Sequence, residues 1–366
     1  MITFVGGKIW RNGAFSANTQ FEICTDNKDK RIIHLDEDDL ITPGLVDFHA
    51  HLWSPASISP FGIDEGRLFS QGIVAVGEPG SFGADNWQLA DRYWCTAGRP
   101  KIRSFMHILP QGLASFPPQA APRPEEIDVT HVIEMAVAAQ STSRLLGVKI
   151  HLGWLPYKDV ETDRGFLEIA RRVADACNTR MMVHISGECV TAPETFAMMK
   201  KGDVITHIYS GLQNNILNKD GKVFPEVIAA QERGVIFDIG ASSKHFSWEV
   251  FNKARTQGIN FRLMGSDVTL NSWNNYTGRG GYHLYYFLSA MLNAGISLNE
   301  AFTALIDEPA SLLELDVSKL NSCLVLKKRA QSFDYAEGLG NVQHSNFVYL
   351  PFLFEQDGRV ILDSTC

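Results

Sequence analysis

The sequence predicts an α/β protein made of a TIM (β/α)8 barrel and a small β-sandwich domain formed by both chain termini. In the middle of the chain, eight short apolar segments alternate with helix-like segments, which is the pattern of a parallel barrel. Both ends instead carry short alternating runs separated by glycine and asparagine, as in hairpins. A chain of 366 residues is long enough for both units. We therefore expect the β domain at 1–42 plus 316–366 and the barrel at 43–315.

Eight apolar runs are the predicted barrel strands. The first follows a turn at Pro43 and Gly44. The other seven lie at 72–76, 102–108, 146–151, 181–185, 204–208, 235–239 and 261–267. Helices are predicted between them, and two begin with a capping box, at Thr191 and at Ser297, each with a glutamate three residues later.

The overall composition limits the classes of partner. The chain has 45% hydrophobic and 20% charged residues, which is ordinary for a globular protein, and a formal net charge of −8. That charge argues against nucleic acid and anionic membranes as partners and leaves a small-molecule substrate. The absence of a secretory signal, together with six cysteines that lack CxxC spacing, predicts a cytoplasmic protein. Whether it forms a homo-oligomer stays open.

Two histidines with one residue between them stand at the end of the first predicted strand. In an extended chain, His49 and His51 project to the same side. Two converging imidazoles are natural ligands for zinc. Such a pair is often structural or incidental, so a metal site requires further ligands at the ends of other strands.

Four residues of suitable chemistry stand at or near the ends of later strands: Lys149, His184, His207 and Asp267. Active sites of TIM barrels lie at the C-terminal ends of the strands. With the first pair of histidines, these side chains suffice for two divalent metal ions. Asp267 could instead be the N-cap of the next helix, but we favour a catalytic role as ligand and proton shuttle.

The lysine among these residues needs a chemical explanation. An ammonium group would be repelled by about 8 kcal/mol from each divalent cation, at ~4 Å and an effective dielectric constant of ~20. Lys149 must therefore be neutral, distant or converted. Addition of CO2 to its neutral amine gives a carbamate, which carries a negative charge and two oxygens that can bridge two metals. The alternative is a lysine that is ion-paired or extends to solvent.

Five segments resemble the amidohydrolase superfamily in its binuclear form with a carboxylated lysine. They are PGLVDFHAH at 43–51, GVK at 147–149, VH at 183–184, TH at 206–207 and GSD at 265–267. The resemblance implies that His49, His51 and Asp267 bind the more buried metal. It implies His184 and His207 on the other metal, with Lys149 as N6-carboxylysine between the two. Zinc is the expected metal, and manganese and iron are alternatives.

Within the superfamily the chain looks closest to the deacetylase branch, which includes hydrolases of acetylated 2-hydroxy acids such as acetyl-mandelate. The segments 77–84 and 238–240 indicate this branch, with dihydroorotases as more distant relatives. Two positions depart from the expected patterns. Ala241 stands where the branch has a histidine, and Trp53 stands where dihydroorotases have an arginine for the substrate carboxylate.

The function implied is that of a metal-dependent hydrolase, deacetylase-like, in which a metal-activated hydroxide cleaves an amide or ester bond of a small acylated compound. A cyclic-amide hydrolase of the dihydroorotase or hydantoinase kind and a non-catalytic homologue are the alternatives. Tyr209 and Arg279 are candidate substrate-binding residues, although Arg279 could equally be a solvated loop arginine. The roles of Cys189, His151 and His245 stay open.

Overall fold

The structure of the protein is a computed structural model, which describes residues 1–26, 30–97, 99–114, 121–153, 157–242, 244–275 and 283–364. The strands are β1 (Ile2–Arg11), β2 (Ala14–Ala17), β3 (Gln20–Ile23), β4 (Arg31–Thr42), β5 (Leu45–Asp47), β6 (Ile73–Glu78), β7 (Lys101–His107), β8 (Leu145–His151), β9 (Arg180–His184), β10 (Val204–Thr206), β11 (Ile236–Asp238), β12 (Ser322–Arg329), β13 (Phe333–Ala336), β14 (Val342–Ser345), β15 (Val348–Gln356) and β16 (Arg359–Asp363).

The helices alternate with the strands in the middle of the chain. They are α1 (Glu65–Phe69), α2 (Trp87–Ala97), α3 (Val129–Gln140), α4 (Val160–Ala176), α5 (Ala192–Ala197), α6 (Pro225–Arg233), α7 (Trp248–Thr256), α8 (Leu270–Asn275), α9 (His283–Asn293), α10 (Leu298–Phe302) and α11 (Glu308–Leu312). The predicted capping boxes begin α5 and α10, since the Thr191 and Ser297 side chains accept hydrogen bonds from the backbone N–H groups of Glu194 and Glu300. Among the described residues, none of these helices has the length and apolarity that crossing a bilayer requires.

The barrel wall is a parallel sheet in which strands β5 to β11 pair in chain order. Six of the strands are wholly or almost wholly buried, as expected when one face meets the barrel interior and the other meets the surrounding helices, and β7 is buried over its last four residues. The predicted TIM-barrel fold is confirmed.

The eighth predicted strand, 261–267, closes the barrel without forming a regular strand. On one side, the Ile239 N–H donates to the Leu263 carbonyl, and on the other the Asp267 N–H donates to the His49 carbonyl. The segment makes only isolated bridges, and Asp267 at its end has a φ of 51°, outside the extended conformation. The prediction of eight strands was therefore wrong for this segment, which is not a regular strand.

Strands from both termini pair in a second sheet, ordered β16-β15-β12-β4-β1-β2. The last part of β1 pairs with β2, and its first part pairs with β3. This sheet has its own cluster of buried side chains, which includes Phe4, Ile41 and Val325. It agrees with a small β domain built from both termini. The domain boundaries at residues 42 and 316 stay predictions.

Candidate metal centre

The first pair of histidines lies at the C-terminal end of the barrel, immediately after β5. His49 and His51 are 1% and 6% exposed. The Nε2 atoms of both rings approach Asp267 Oδ1, at 3.2 Å and 3.3 Å respectively. Their ligand atoms lie within 4.8 Å of one another, so the three side chains could hold one metal ion.

A second group of histidines lies beside the first. His184 is the last residue of β9, and His207 stands directly after β10. His245, from the segment after β11, joins them, again with ligand atoms within 4.8 Å of one another. Asp267 Oδ2 lies 3.9 Å from His207 Nε2, so one carboxylate reaches both groups. This arrangement brings together five of the six predicted metal ligands.

Two ring nitrogens of the second group lack a hydrogen-bond partner in the described part of the chain. They are His184 Nε2 and His207 Nε2, and both are buried. An unsatisfied buried polar atom costs about 1–3 kcal/mol. Burial holds the pKa of both histidines well below the usual range. Neutral imidazoles with unused nitrogens fit a metal ion, which takes up the lone pairs that no protein group uses.

The backbone is also unusual at two of these residues. His207 and Asp267 have φ values of 65° and 51°, in the left-handed region that non-glycine residues rarely adopt. Such conformations cost energy and concentrate at functional sites. Here they turn the side chains inward just where strand pairing ends.

The His49 ring is fixed by a buried carboxylate on the neighbouring part of the barrel. Asp238 Oδ2 lies 2.8 Å from His49 Nδ1 and accepts a hydrogen bond from the Thr206 hydroxyl at 2.7 Å. Burial lowers the pKa of His49, but the carboxylates of Asp267 and Asp238 outweigh it and raise the pKa to about 9. The surroundings of this ring therefore favour positive charge, which a metal cation also supplies.

The His51 ring has a separate support on β6 and the loop after it. The Ser81 hydroxyl lies 2.6 Å from His51 Nδ1, and Glu78 accepts hydrogen bonds from the N–H groups of Gly80 and Ser81. A hydrogen bond at Nδ1 orients the other ring nitrogen toward the site, as is usual for metal-binding histidines.

Along the chain, Lys149 comes after the first pair of histidines and before the second group. Its side chain is buried, at 2% exposure. It forms no ion pair with any described residue, and burial lowers its pKa to about 8. Gly80 lies against its stem, since a Cβ at that position would come within 2.5 Å of Lys149 Cβ. A buried amine with a lowered pKa is the form that can react with CO2.

The strand next to Lys149 carries an unused hydrogen-bond donor that would fit a carbamate. His107 pairs with Lys149 across β7 and β8, and its Nδ1 accepts a hydrogen bond from the Leu109 N–H at 3.0 Å. Burial lowers the pKa of His107 to about 3, so the ring is neutral and its one proton sits on Nε2. That buried Nε2–H has no partner among the described residues. A carbamate oxygen would accept from it.

A cavity of about 600 Å3 opens in front of these groups. His51, Lys149, His184 and Asp267 form its floor. The His151 ring stacks on His184 with ring centroids 3.5 Å apart, which places this histidine beside the site and in the cavity wall. The volume suits a small organic molecule.

Tyr209, one of the two candidate substrate-binding residues, does not line this cavity. Tyr209 is fully buried, its hydroxyl donates to the Ile259 carbonyl at 3.1 Å, and its ring packs on Phe246 and Phe251. The expectation of a substrate contact is corrected for Tyr209, because its side chain points into the core behind the barrel wall. Arg279 lies outside the described residues.

His245 is the site residue to which the sequence assigned no role. Its ring centroid lies 4.4 Å from that of His207, and its Nδ1 shares a hydrogen bond with the Ser186 hydroxyl. The available signal was the missing histidine at Ala241. The segment after β11 delivers an imidazole four residues later instead.

No protein-family model matches the chain. A deacetylase from Agrobacterium fabrum is 23% identical over 283 residues, which cover 76% of this chain and 66% of that protein. A deacetylase from Enterococcus faecalis is 24% identical over 254 residues, or 67% of this chain and 65% of that protein. The chain thus spans about two thirds of the length of these relatives.

Solved structures with the same fold include a dihydroorotase and an adenine deaminase. The dihydroorotase has a TM-score of 0.81 at 20% identity and covers 99% of this chain and 98% of its own. The adenine deaminase has a TM-score of 0.77 at 18% identity, with 98% of both chains covered. The chain is thus similar in sequence to deacetylases and shares the fold of a dihydroorotase and an adenine deaminase, which supports the resemblance to the amidohydrolase superfamily.

Proposed function

We propose that the protein is a hydrolase that uses two divalent metal ions to cleave an amide or ester bond of a small acylated compound. The observation that supports this most directly is the pair of buried, neutral histidines with unused Nε2 atoms, His184 and His207, beside the group of His49, His51 and Asp267. The deacetylase relatives support the same class of reaction.

Each metal would have its own set of residues in this proposal. His49, His51 and Asp267 would hold the more buried ion and His184 and His207 the other, with Lys149 as N6-carboxylysine between them. The mainly nitrogen ligands favour zinc. Bound metal ions supply Lewis acidity, which polarises a carbonyl group and lowers the pKa of a water molecule toward neutrality.

Asp267 is suited to move the proton in such a reaction. Burial raises the pKa of this carboxyl, but the imidazoles of His49, His51 and His207 outweigh it and hold the pKa well below the usual range. The group is therefore ionised at neutral pH. It faces the cavity and can accept a proton from the attacking water, then pass it to the leaving nitrogen or oxygen.

The mouth of the cavity favours a substrate with negative charge. Lys158 and Lys244 line it, are exposed, and form no ion pair with the described residues. The cavity wall also offers apolar surface, from Phe61, Leu113 and Leu212. An N-acyl amino acid or an O-acyl 2-hydroxy acid matches this combination of acyl group, apolar body and carboxylate.

The cyclic-amide alternative lacks a matching cation at the position where dihydroorotases carry an arginine. Trp53 occupies it, and its ring packs edge-on against Tyr93. A dihydroorotase shares the fold, but the fold leaves the substrate undecided.

Metal analysis and a substrate panel test the proposal. The purified protein should contain about two equivalents of transition metal, and it should hydrolyse N-acetyl amino acids or O-acetyl hydroxy acids faster than it opens dihydroorotate or hydantoins. Asp267→Asn should remove the activity while leaving the circular dichroism spectrum unchanged.

Three results would count against it. Less than about one equivalent of metal would favour a non-catalytic homologue. Faster ring opening would assign the cyclic-amide reaction. An unchanged turnover number in Asp267→Asn would rule out the proton transfer given to that carboxylate.

A further inference from the structure

A basic pocket lies at the opposite end of the barrel from the candidate metal centre. Its volume is about 520 Å3. Residues at the start of β8 and β9, in the last turns of α4 and in the segment before β10 line it. Because β8 runs from Leu145 in this pocket to Lys149 and His151 at the other end, the length of the barrel separates the two sites.

The pocket carries an excess of two positive charges in a chain whose net charge is −8. Its cationic side chains are Arg103, Arg171, Arg180, Lys200 and Lys201, and its carboxylates are Asp175, Asp203 and Glu314. Each carboxylate already has a cationic partner. Arg171 pairs with Asp203 at 2.5 Å, Arg103 with Glu314 at 2.9 Å, and Lys200 with Asp175 at 2.7 Å.

Arg180 and Lys201 are left without an ion pair in the described residues, and Arg180 is partly buried. Its Nη1 atom is shielded from solvent and has no hydrogen-bond partner there. The Nε atom of Arg171, in the wall of the same pocket, is also buried without a partner. These two shielded nitrogens are not open to the pocket, so an anion there would meet the unpaired positive charges of Arg180 and Lys201, which no described carboxylate neutralises.

The position of Arg180 is set by close packing against β8. A Cβ at Gly147 would lie 2.7 Å from Arg180 Cγ and 2.3 Å from its carbonyl oxygen. Glycine at 147 therefore makes room for the arginine stem at the start of β9. An arginine that is seated in this way presents its guanidinium group at a defined place, which is a requirement for a specific anion site.

We propose that this pocket binds a small phosphate monoester, with Arg180 as the anchor for the phosphate group. A phosphate monoester carries a charge of about −1.5 to −2 at pH 7, which matches the excess positive charge. The planar guanidinium group matches two phosphate oxygens at once. A bare phosphate would fill only a small part of the cavity, so the remaining volume accommodates the organic part of the ligand.

Isothermal titration calorimetry on the metal-loaded protein tests this site, with inorganic phosphate and glycerol 3-phosphate as probes at constant ionic strength. The wild-type protein should bind glycerol 3-phosphate saturably and more tightly than inorganic phosphate. Arg180→Gln should weaken the binding at least tenfold, and Arg180→Lys, which keeps the charge without the planar fork, should have an intermediate affinity. Phosphate that binds at the metal centre contributes equally to all variants.

Arg172→Gln is the matched control, because Arg172 is an exposed arginine on α4 outside the pocket. It should leave both affinities unchanged. Equal affinity of the wild type and Arg180→Gln would overturn the site, as would an equal loss in Arg172→Gln. Equal affinity for inorganic phosphate and glycerol 3-phosphate would overturn the proposal that the ligand is a phosphate monoester. If Arg180→Gln fails to fold, Arg180→Lys is compared with the wild type in its place, and equal affinity of these two proteins would overturn the site. The assay measures no hydrolysis, so its outcome is separate from that of the proposed function.

Discussion

The contact between Asp238 and His49 crosses the seam at which the barrel closes. Asp238 ends β11 and His49 follows β5, and these strands are the two edges of the seven-stranded sheet. The carboxylate fixes the His49 ring at Nδ1 and leaves Nε2 facing Asp267. The orientation of one candidate ligand therefore depends on a residue that lies 189 positions away in the chain.

Asp238→Asn should weaken metal binding and activity by about 10–100-fold, because the amide lacks the charge that holds the histidine ring. Chelator competition gives the metal affinity, and the turnover number gives the activity. Asp334→Asn is a matched control, since Asp334 is exposed and pairs with an exposed histidine. Unchanged metal affinity in Asp238→Asn would contradict this account of the His49 ring.

His107→Ala should destabilise the proposed carbamate on Lys149, because it removes the unpartnered Nε2–H donor of the residue that pairs with Lys149 across β7 and β8. In protein equilibrated with 13C-labelled bicarbonate, the NMR signal of the carbamate should fall several-fold. His107→Gln, which places an N–H donor near the same point, should retain more of the signal. His131→Ala changes an exposed histidine and should have no effect. An undiminished signal in His107→Ala would show that this donor does not support the carbamate.

At the scale of elements, the segment 261–267 departs from a regular strand in order to approach β5. A Cβ at Gly265 would lie 2.3 Å from His49 Cβ and 3.0 Å from Asp238 Oδ1. The segment thus carries Asp267 to the site only because glycine allows this close approach. Pairing on both sides is limited to a few backbone hydrogen bonds.

Gly265→Ala should displace His49 and lower the affinity for the more buried metal at least tenfold, with a smaller effect on the second metal. Titration of the metal-free protein, followed by calorimetry, resolves the two sites. Gly66→Ala is the control, because Gly66 is an exposed position on helix α1 and the added methyl group meets only the end of the Asp64 side chain. Equal affinities in wild type and Gly265→Ala would mean that the closure does not position His49.

At the scale of the whole molecule, one buried carboxyl makes stability depend on pH. Glu188 is 1% exposed, and its Oε2 atom has no partner among the described residues. Burial raises the pKa of Glu188 from 4.5 to about 8. Between these values the folded protein holds a proton that the unfolded chain releases, so stability falls as the pH rises through this window.

Glu188→Gln should therefore reduce the loss of stability between pH 6 and pH 8.5, and the variant should be more stable than the wild type at the upper end. Urea unfolding at a series of pH values measures this. Glu232→Gln, at an exposed position on α6, should keep the pH dependence of the wild type. Parallel curves for wild type and Glu188→Gln would contradict a raised pKa at Glu188.

Much of the fold follows from local patterns. The apolar runs predicted seven of the barrel strands, and Thr191 and Ser297 predicted the starts of two helices, because these signals are short-range. The eighth segment was predicted as a strand because its apolar residues resemble the others. Its left-handed residue Asp267 is set by contacts with β5, which the sequence does not display.

The site was predictable to a similar extent. His49, Lys149, His184, His207 and Asp267 each stand at or near the end of an apolar run, so barrel topology alone brings them to one end. Tyr209 also follows a strand, but it turns outward into an aromatic cluster. Which way a side chain turns after a strand depends on the backbone conformation there.

The sequence by itself determined the barrel, the resemblance to the amidohydrolase superfamily and the residue types at the strand ends, since strand periodicity and ligand chemistry are properties of the chain. Only the tertiary structure decided that His245 joins the second histidine group, that the buried Nε2–H of His107 has no described partner, and that Arg180 lines a basic pocket. These are distances between segments far apart in the chain, and packing of the whole barrel sets them.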